Sequence, residues 1–211
     1  AYTLNLTAPQ RIRFARGTTS TLLSGDLSDR THDYYVLEAG AGQHMRLGID
    51  AHGANAWLTV TGADGQSYLR SVTRQSDWNG DLFTTQDYFI TVESDGTAGA
   101  YSLMATIPQR INFAPGATST TIAGTVSTAS PSRQYILEAA AGQRLTVEID
   151  SPNDDVLLTI YGRDGIPLVR YQSGAARYDD MLPASQDYII VAVATALTTS
   201  PTYTITVSVT G

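Results

Sequence analysis

Ala1-Tyr-Thr-Leu-Asn-Leu-Thr-Ala-Pro-Gln-Arg-Ile-Arg-Phe-Ala-Arg-Gly17 opens the chain, and nearly the same text returns as Ala100-Tyr-Ser-Leu-Met-Ala-Thr-Ile-Pro-Gln-Arg-Ile-Asn-Phe-Ala-Pro-Gly116. The second copy is a junction, ending one repeat and beginning the next. In it Tyr101, Leu103, Ala105 and Ile107 alternate with Ser102, Met104 and Thr106, the pattern of a strand with one buried face. They are expected to close the first repeat, and Tyr203, Ile205, Val207 and Val209 to close the second. Tyr2, Leu4, Leu6 and Ala8 carry the same alternation, so there are three closing strands for two bodies. Pro9 and Pro108 follow two of them, where a residue without an N–H can end a ladder.

The repeat runs through the rest of the chain. Pro9-Gln10-Arg11-Ile12 recurs as Pro108-Gln109-Arg110-Ile111, and Tyr35-Val-Leu-Glu-Ala39 as Tyr135-Ile-Leu-Glu-Ala139. Ala41-Gly-Gln43, Ile49-Asp50, Leu58-Thr59, Gly62-x-Asp64-Gly65 and Gln86-Asp87-Tyr88 all have counterparts about one hundred residues later. Self-similarity at a fixed period marks a repeated structural unit. The expected organisation is an unpartnered strand over residues 1–8, a first domain over 9–107 and a second over 108–211.

Within each repeat the apolar period is two. Leu47 and Ile49, Leu58 and Val60, and Tyr88, Ile90 and Val92 alternate with polar or smaller residues, as do Leu145, Val147 and Ile149. Turn signals separate these segments at Gly40-Ala-Gly42, Asn79-Gly80, Ser94-Asp-Gly96 and Arg163-Asp-Gly165. No segment shows a capped helical stripe. The fold class is therefore all-β, two tandem jelly-roll or β-sandwich domains.

Thirteen basic and twenty acidic residues give a net charge of −7 over 211 residues. Nucleic acid and anionic membrane need a basic face, so neither is an expected partner. There is no Cys, which removes disulfides, thiol catalysis and thiolate metal sites. There is no Lys, which removes Schiff-base chemistry and lysine crosslinks. No apolar run approaches a membrane span. A chain that begins at Ala1, without Met or a charged-then-apolar leader, fits a processed exported protein and equally an excised fragment.

The order Tyr-x-Leu-x-Ala-x-x-Gly-Gln, an Ile-Asp strand, a Gly-x-Asp-Gly turn, Asp-Tyr-x-Ile-x-Val and Tyr-x-Leu resembles the bacterial pre-peptidase C-terminal (PPC) domain. It is also similar to the related g-type lysozyme inhibitor domains. Here the pattern is Tyr35, Leu37, Ala39, Gly42-Gln43, Asp87-Tyr88, Ile90, Val92, Tyr101 and Leu103. It recurs at Tyr135, Leu137, Ala139, Gly142-Gln143, Asp187-Tyr188, Ile190, Tyr203 and Ile205. The resemblance covers both repeats and rests on fold-determining positions. It implies a secreted, non-catalytic β-sandwich that accompanies an exported hydrolase, binds a matrix or cell-wall target, or blocks a lysozyme. Some members hold calcium through an acidic cluster before the central strand. Asp150, Asn153, Asp154 and Asp155 stand there in the second repeat, whereas the first has Asp50, His52 and Asn55.

These hard oxygen donors suit calcium. The alternative is a solvated loop in which Asn and Asp bond their own backbone. No other cofactor is implied. His32, His44 and His52 have the counterparts Ser132, Arg144 and Pro152 and match no ligand spacing, so they are read as surface bystanders. No Gly-x-Ser-x-Gly elbow is present. Asp87 and Asp187 are read as turn carboxylates accepting backbone N–H bonds. Tyr34, Trp57, Tyr68 and Trp78 either line a sugar-binding face or serve as core and cross-strand pairs. Asn5-Leu6-Thr7 fits the glycosylation sequon.

A lone amphipathic strand is not stable in water. Residues 1–8 are expected to pair either with their own first domain or with a neighbour, through main-chain bonds and pockets for Tyr2, Leu4 and Leu6. The leading expectation is a secreted, non-enzymatic structural protein, at the cell surface or beyond it, whose copies join end to end by strand addition into a filament or array. The alternative is a binding module with a glycan or protein ligand.

Overall fold

The computed structural model describes residues 7–15, 17–53, 55–97, 99–128, 130–195 and 201–211. The contacts divide the chain into two compact units, the bulk of one lying in Thr21–Ile107 and of the other in Pro108–Gly211. Among the described residues no helix is long and apolar enough to cross a membrane.

In the first unit the strands are β1 (Gln10–Arg11), β2 (Ser20–Asp26), β3 (His32–Ala39), β4 (His44–His52), β5 (Ala56–Gly62), β6 (Ser67–Leu69), β7 (Asp77–Asp81), β8 (Gln86–Ser94) and β9 (Ala100–Thr106). They form a five-stranded sheet, β1-β3-β8-β5-β6, and a four-stranded sheet, β2-β9-β4-β7. The second unit repeats this with β10 (Gln109–Arg110), β11 (Ser119–Thr125), β12 (Ser132–Ala139), β13 (Arg144–Asp150), β14 (Val156–Gly162), β15 (Pro167–Val169), β16 (Arg177–Met181), β17 (Gln186–Ala194) and β18 (Thr202–Thr210). Its sheets run β10-β12-β17-β14-β15 and β11-β18-β13-β16. Each unit is a β-sandwich.

Period-two alternation sends one side of each strand inward. Leu58, Val60, Tyr88, Ile90, Leu103 and Ala105 are fully buried in the first core, and Leu145, Val147, Leu158, Ile160, Tyr188 and Ile205 in the second. The closing strands are central in their sheets: β9 lies between β2 and β4, and β18 between β11 and β13. Both described sandwiches are thus already complete at this place. The expected N-terminal strand, with Tyr2, Leu4 and Leu6, lies outside the described residues except for Thr7 and Ala8, which are exposed and belong to no strand.

Three tyrosines anchor each sandwich. Tyr88 donates from its hydroxyl to the Thr84 carbonyl at 2.6 Å, and Tyr188 to the Ala184 carbonyl at 2.6 Å. Between the sheets the Tyr35 and Tyr101 hydroxyls are 2.5 Å apart, and those of Tyr135 and Tyr203 2.8 Å. The Tyr101 ring lies against Gly25 and the Tyr203 ring against Gly124, each where a Cβ would stand.

The Gln-Arg pairs after the two prolines form short parallel strands, Gln10 opposite Tyr35 and Gln109 opposite Tyr135. This aims each arginine at the aspartate that precedes the buried tyrosine of β8 or β17. Arg11 grips Asp87 with two bonds of 3.0 and 2.8 Å; Arg110 grips Asp187 at 3.2 and 3.4 Å. The expectation that these carboxylates serve turn N–H groups is replaced by a charge-assisted fork. Arg11 holds the Asp87 carboxyl below its usual range.

On the outer side of the second unit's four-stranded sheet, Asp179 accepts from Arg144 Nε at 2.7 Å, Arg177 Nη2 at 2.9 Å and Thr146 Oγ1 at 3.0 Å. Arg144 is the largest influence, and the Asp179 carboxyl is held far below the ordinary aspartate value of 3.8. A carboxyl depressed in the folded state contributes stability above its unfolded value, and that contribution is lost as pH falls toward the folded one. The melting temperature followed by circular dichroism should therefore drop as pH falls below about 4. The Asp179→Asn variant should show a shallower drop; an unchanged slope would remove Asp179 from the account.

Candidate functional site

The outer face of the first unit's five-stranded sheet carries three rows set by strand register. His32, Glu93 and Trp57 form the first, Tyr34, Thr91 and Thr59 the second, and Val36, Phe89 and Thr61 the third. Tyr34 is 43% exposed and Phe89 42%, high values for rings on a sheet face. The His32 and Tyr34 rings are nearly parallel, 7° apart, with centroids separated by 6.1 Å. A cavity of about 390 Å³ is lined by Pro9, Tyr34, Phe89 and Thr91, among others.

Two ionised groups on this face are held by partners within the protein. Glu93 accepts from the Trp57 indole N–H at 3.2 Å, from Ser71 at 2.5 Å and from the Thr59 hydroxyl. Burial works against ionising Glu93, and these donors outweigh it, so its carboxyl stays below the usual range. At the other end Arg11 and Asp87 neutralise one another.

Arg74 completes the upper row. It follows the 3₁₀ turn Ser71–Thr73 with φ 47°, and its guanidinium carbon lies 4.7 Å from the centre of the Trp57 ring. The equivalent turn in the second unit, Tyr171–Ser173, ends on Gly174 with φ 75°. The left-handed region favours glycine, and a side chain there costs about 1 kcal/mol. The first unit accepts that cost and gains a cation over an indole.

The second unit builds the same rows from Ser132, Val193 and Leu157, then Gln134, Val191 and Thr159, then Ile136, Ile189 and Tyr161. Ile189 and Val191 are buried where Phe89 and Thr91 stand in the first unit. The same sheet therefore folds without the rings of Tyr34, Trp57 and Phe89.

Of the four aromatics singled out in the sequence, Tyr34 and Trp57 belong to this face. Tyr68 and Trp78 pack against the first core, edge to face with ring centres 6.1 Å apart. Their partner sets were illegible in a period-two reading, which assigns a side chain to a face but not which face is inward. Phe89 and Arg74 were missed; the signal for both was departure from the sister repeat at an aligned position.

The acidic loop with Asp150, Asn153, Asp154 and Asp155, the expected calcium position, follows β13. Asp150 ends β13, and Asp154 adopts φ 53°. The loop bonds to its own backbone: Asp154 N–H donates to the Ser151 carbonyl at 3.1 Å, and Val156 N–H to Ser151 Oγ at 3.2 Å. Among the described residues no three His, Cys, Asp or Glu side chains converge to hold an ion. The histidines also stay apart. His44 is not a surface residue: it is buried, with Nδ1 2.9 Å from Asp81 Oδ1. His52 is exposed, and His32 lies on the face described above.

Neither a family model nor a curated relative matches this sequence. Among solved structures, the Aeromonas hydrophila protein PliG, a periplasmic lysozyme inhibitor of g-type lysozyme, is similar at 25% identity. It covers 47% of this chain and 95% of its own, with a TM-score of 0.42. The Salmonella Typhimurium PliG is 21% identical over 48% of this chain and 99% of its own, at 0.37. The pre-peptidase C-terminal domain of a Bacillus anthracis collagenase is 14% identical over 49% of this chain and 100% of its own, at 0.41. Each match spans about half of this chain and nearly all of its counterpart.

Proposed function

We propose that this chain is a non-catalytic binding module of a secreted or periplasmic protein, and that it binds through the outer face of the first unit's five-stranded sheet. The observation that carries this reading is the contrast between the two units. One fold, repeated, has Gln134 and buried Ile189 in the second unit where Tyr34 and Phe89 stand in the first. In the first it exposes Tyr34 and Phe89 and places Arg74 at a backbone position its sister gives to Gly174. Exposed rings and a strained turn are not needed for the sandwich, so they serve a contact. The test is retention of the protein on immobilised collagen, peptidoglycan, g-type lysozyme and neutral polysaccharides. At least one should retain the wild type and lose the Tyr34→Ala/Phe89→Ala double variant. Equal retention of both proteins, or none of either, overturns the reading.

A second reading, end-to-end association, is supported by the strand sequence repeated at residues 1–8. Residues 1–8 repeat the sequence of a strand whose slot is filled in both described sandwiches. A neighbouring copy has the same filled slots, so in this reading residues 1–8 add to an open sheet edge of the neighbour. Removing residues 1–8 should leave a folded protein that no longer forms the large species seen by light scattering. Unchanged scattering after the deletion, or none from the intact chain, ends this reading.

A further inference from the structure

Resting on the binding-module reading, we infer that the face of Tyr34, Thr91 and Phe89 takes a neutral polysaccharide strand. Three features of the face choose this class of ligand.

The first is charge. Arg11 is paired with Asp87, the Glu93 carboxylate is held by the Trp57, Ser71 and Thr59 donors, and Arg74 lies over the Trp57 ring, all at the two ends of the rows. The positions around the two rings, Thr91, Thr59, Val36 and Thr61, are all uncharged, so a charged ligand gains no counter-charge there.

The second is shape and chemistry together. A pyranose ring has an apolar C–H face and a hydroxyl rim, so it needs an aromatic surface beside hydroxyl partners. Tyr34 stands directly opposite Thr91, and Phe89 is two residues along the same strand. Diagonal neighbours of this kind lie about 7–8 Å apart. Two exposed rings at that separation, with a threonine between them, suit two successive sugars of one extended chain. The cavity of about 390 Å³ at Pro9, Tyr34, Phe89 and Thr91 is within the range of small-ligand clefts, about 300–1,000 Å³.

The third is orientation. An extended peptide is usually captured at a strand edge, where main-chain groups are open. Here the rings belong to outward positions of β3 and β8, strands with a partner on each side in the sheet order. The contact is made by a sheet face, where side chains alone are offered.

The test is affinity electrophoresis through gels containing soluble β-glucan or xylan, with gelatin and g-type lysozyme as immobilised protein probes. Wild type should be retarded by at least one polysaccharide. Tyr34→Ala and Phe89→Ala should each weaken retardation about tenfold. Phe83→Ala, which removes a ring exposed elsewhere, should leave it unchanged. Retardation should change less than about twofold between low and high salt, since no ion pair is made. Matched melting curves for the variants separate lost binding from lost folding. Retardation that survives both substitutions, or that collapses with salt, overturns the polysaccharide assignment. Binding to gelatin or lysozyme through Tyr34, without polysaccharide binding, overturns the assignment and leaves the module reading standing. Failure of every probe to hold the wild type overturns both.

Discussion

Gly25→Ala should destabilise the first unit by about 3 kcal/mol, the upper part of the range for forcing an atom into a packed interior. The new methyl would fall within the Tyr101 ring, which is buried and tied at its hydroxyl on both sides. The ring cannot swing away without breaking those bonds. Both tryptophans of the chain, Trp57 and Trp78, lie in this unit, so urea denaturation followed by indole fluorescence reports it selectively. Gly124→Ala should have the matching effect in the second unit through Tyr203, visible in circular dichroism. The control is Gly48→Ala, where a Cβ meets nothing within 4 Å and the expected change is within about 0.5 kcal/mol. Equal midpoints for Gly25→Ala and Gly48→Ala would show that the tyrosine ring does not need the gap.

Tyr101→Phe should cost about 2–3 kcal/mol, and Tyr203→Phe about 1 kcal/mol. The two tyrosines are equivalent, but their surroundings differ. Tyr101 donates to the Asp33 carboxylate at 2.6 Å. Its single proton is then used, so Tyr35 is the donor in the hydroxyl pair. Asp33 is also held by Arg30 Nε at 2.5 Å. Burial, followed by the bond to Asp33, drives the Tyr101 hydroxyl well above its ordinary range, so it stays protonated. Deleting it leaves the Tyr35 hydroxyl without its acceptor and the carboxylate without one donor. In the second unit Arg133 stands where Asp33 would, with its guanidinium carbon 5.6 Å from the Tyr135 ring, and only a neutral hydroxyl pair is lost. Denaturation midpoints of the two variants give the comparison; a larger loss for Tyr203→Phe would contradict it.

The fold was legible because two independent patterns agreed. Alternation located the strands around Tyr35, Leu58, Tyr88 and Leu145, and the repeat placed each twice. The two-residue strands at Gln10–Arg11 and Gln109–Arg110 were not legible, because so short a segment has no period. The fork from Arg11 to Asp87 spans 76 residues, and local turn chemistry could not suggest it. His44 looked like a bystander because its counterpart is Arg144. In fact the imidazole is buried against Asp81, while Arg144 reaches outward to Asp179. The candidate face was half visible: Tyr34 and Trp57 were named, but the weight of the argument lies in Phe89 and Arg74. The aligned letters show Ile189 and Gly174 in their places; the structure adds that Ile189 is buried and that Arg74 takes a left-handed backbone.

The middle position of β9 and β18 also governs the order in which the molecule can be made. Ser119 pairs with Ser208 and Thr125 with Thr202, so the two sides of one sheet meet only through a ribbon synthesised last. A ribosome that has released everything before residue 202 has delivered β11 and β13 with a gap between them. Contacts so distant in sequence form slowly, and until they form the neighbouring edges stay open to other chains. For the second unit β18 is thus the keystone, and a nascent or truncated chain lacking it leaves β11 without any partner and β13 open on the side that β18 covers.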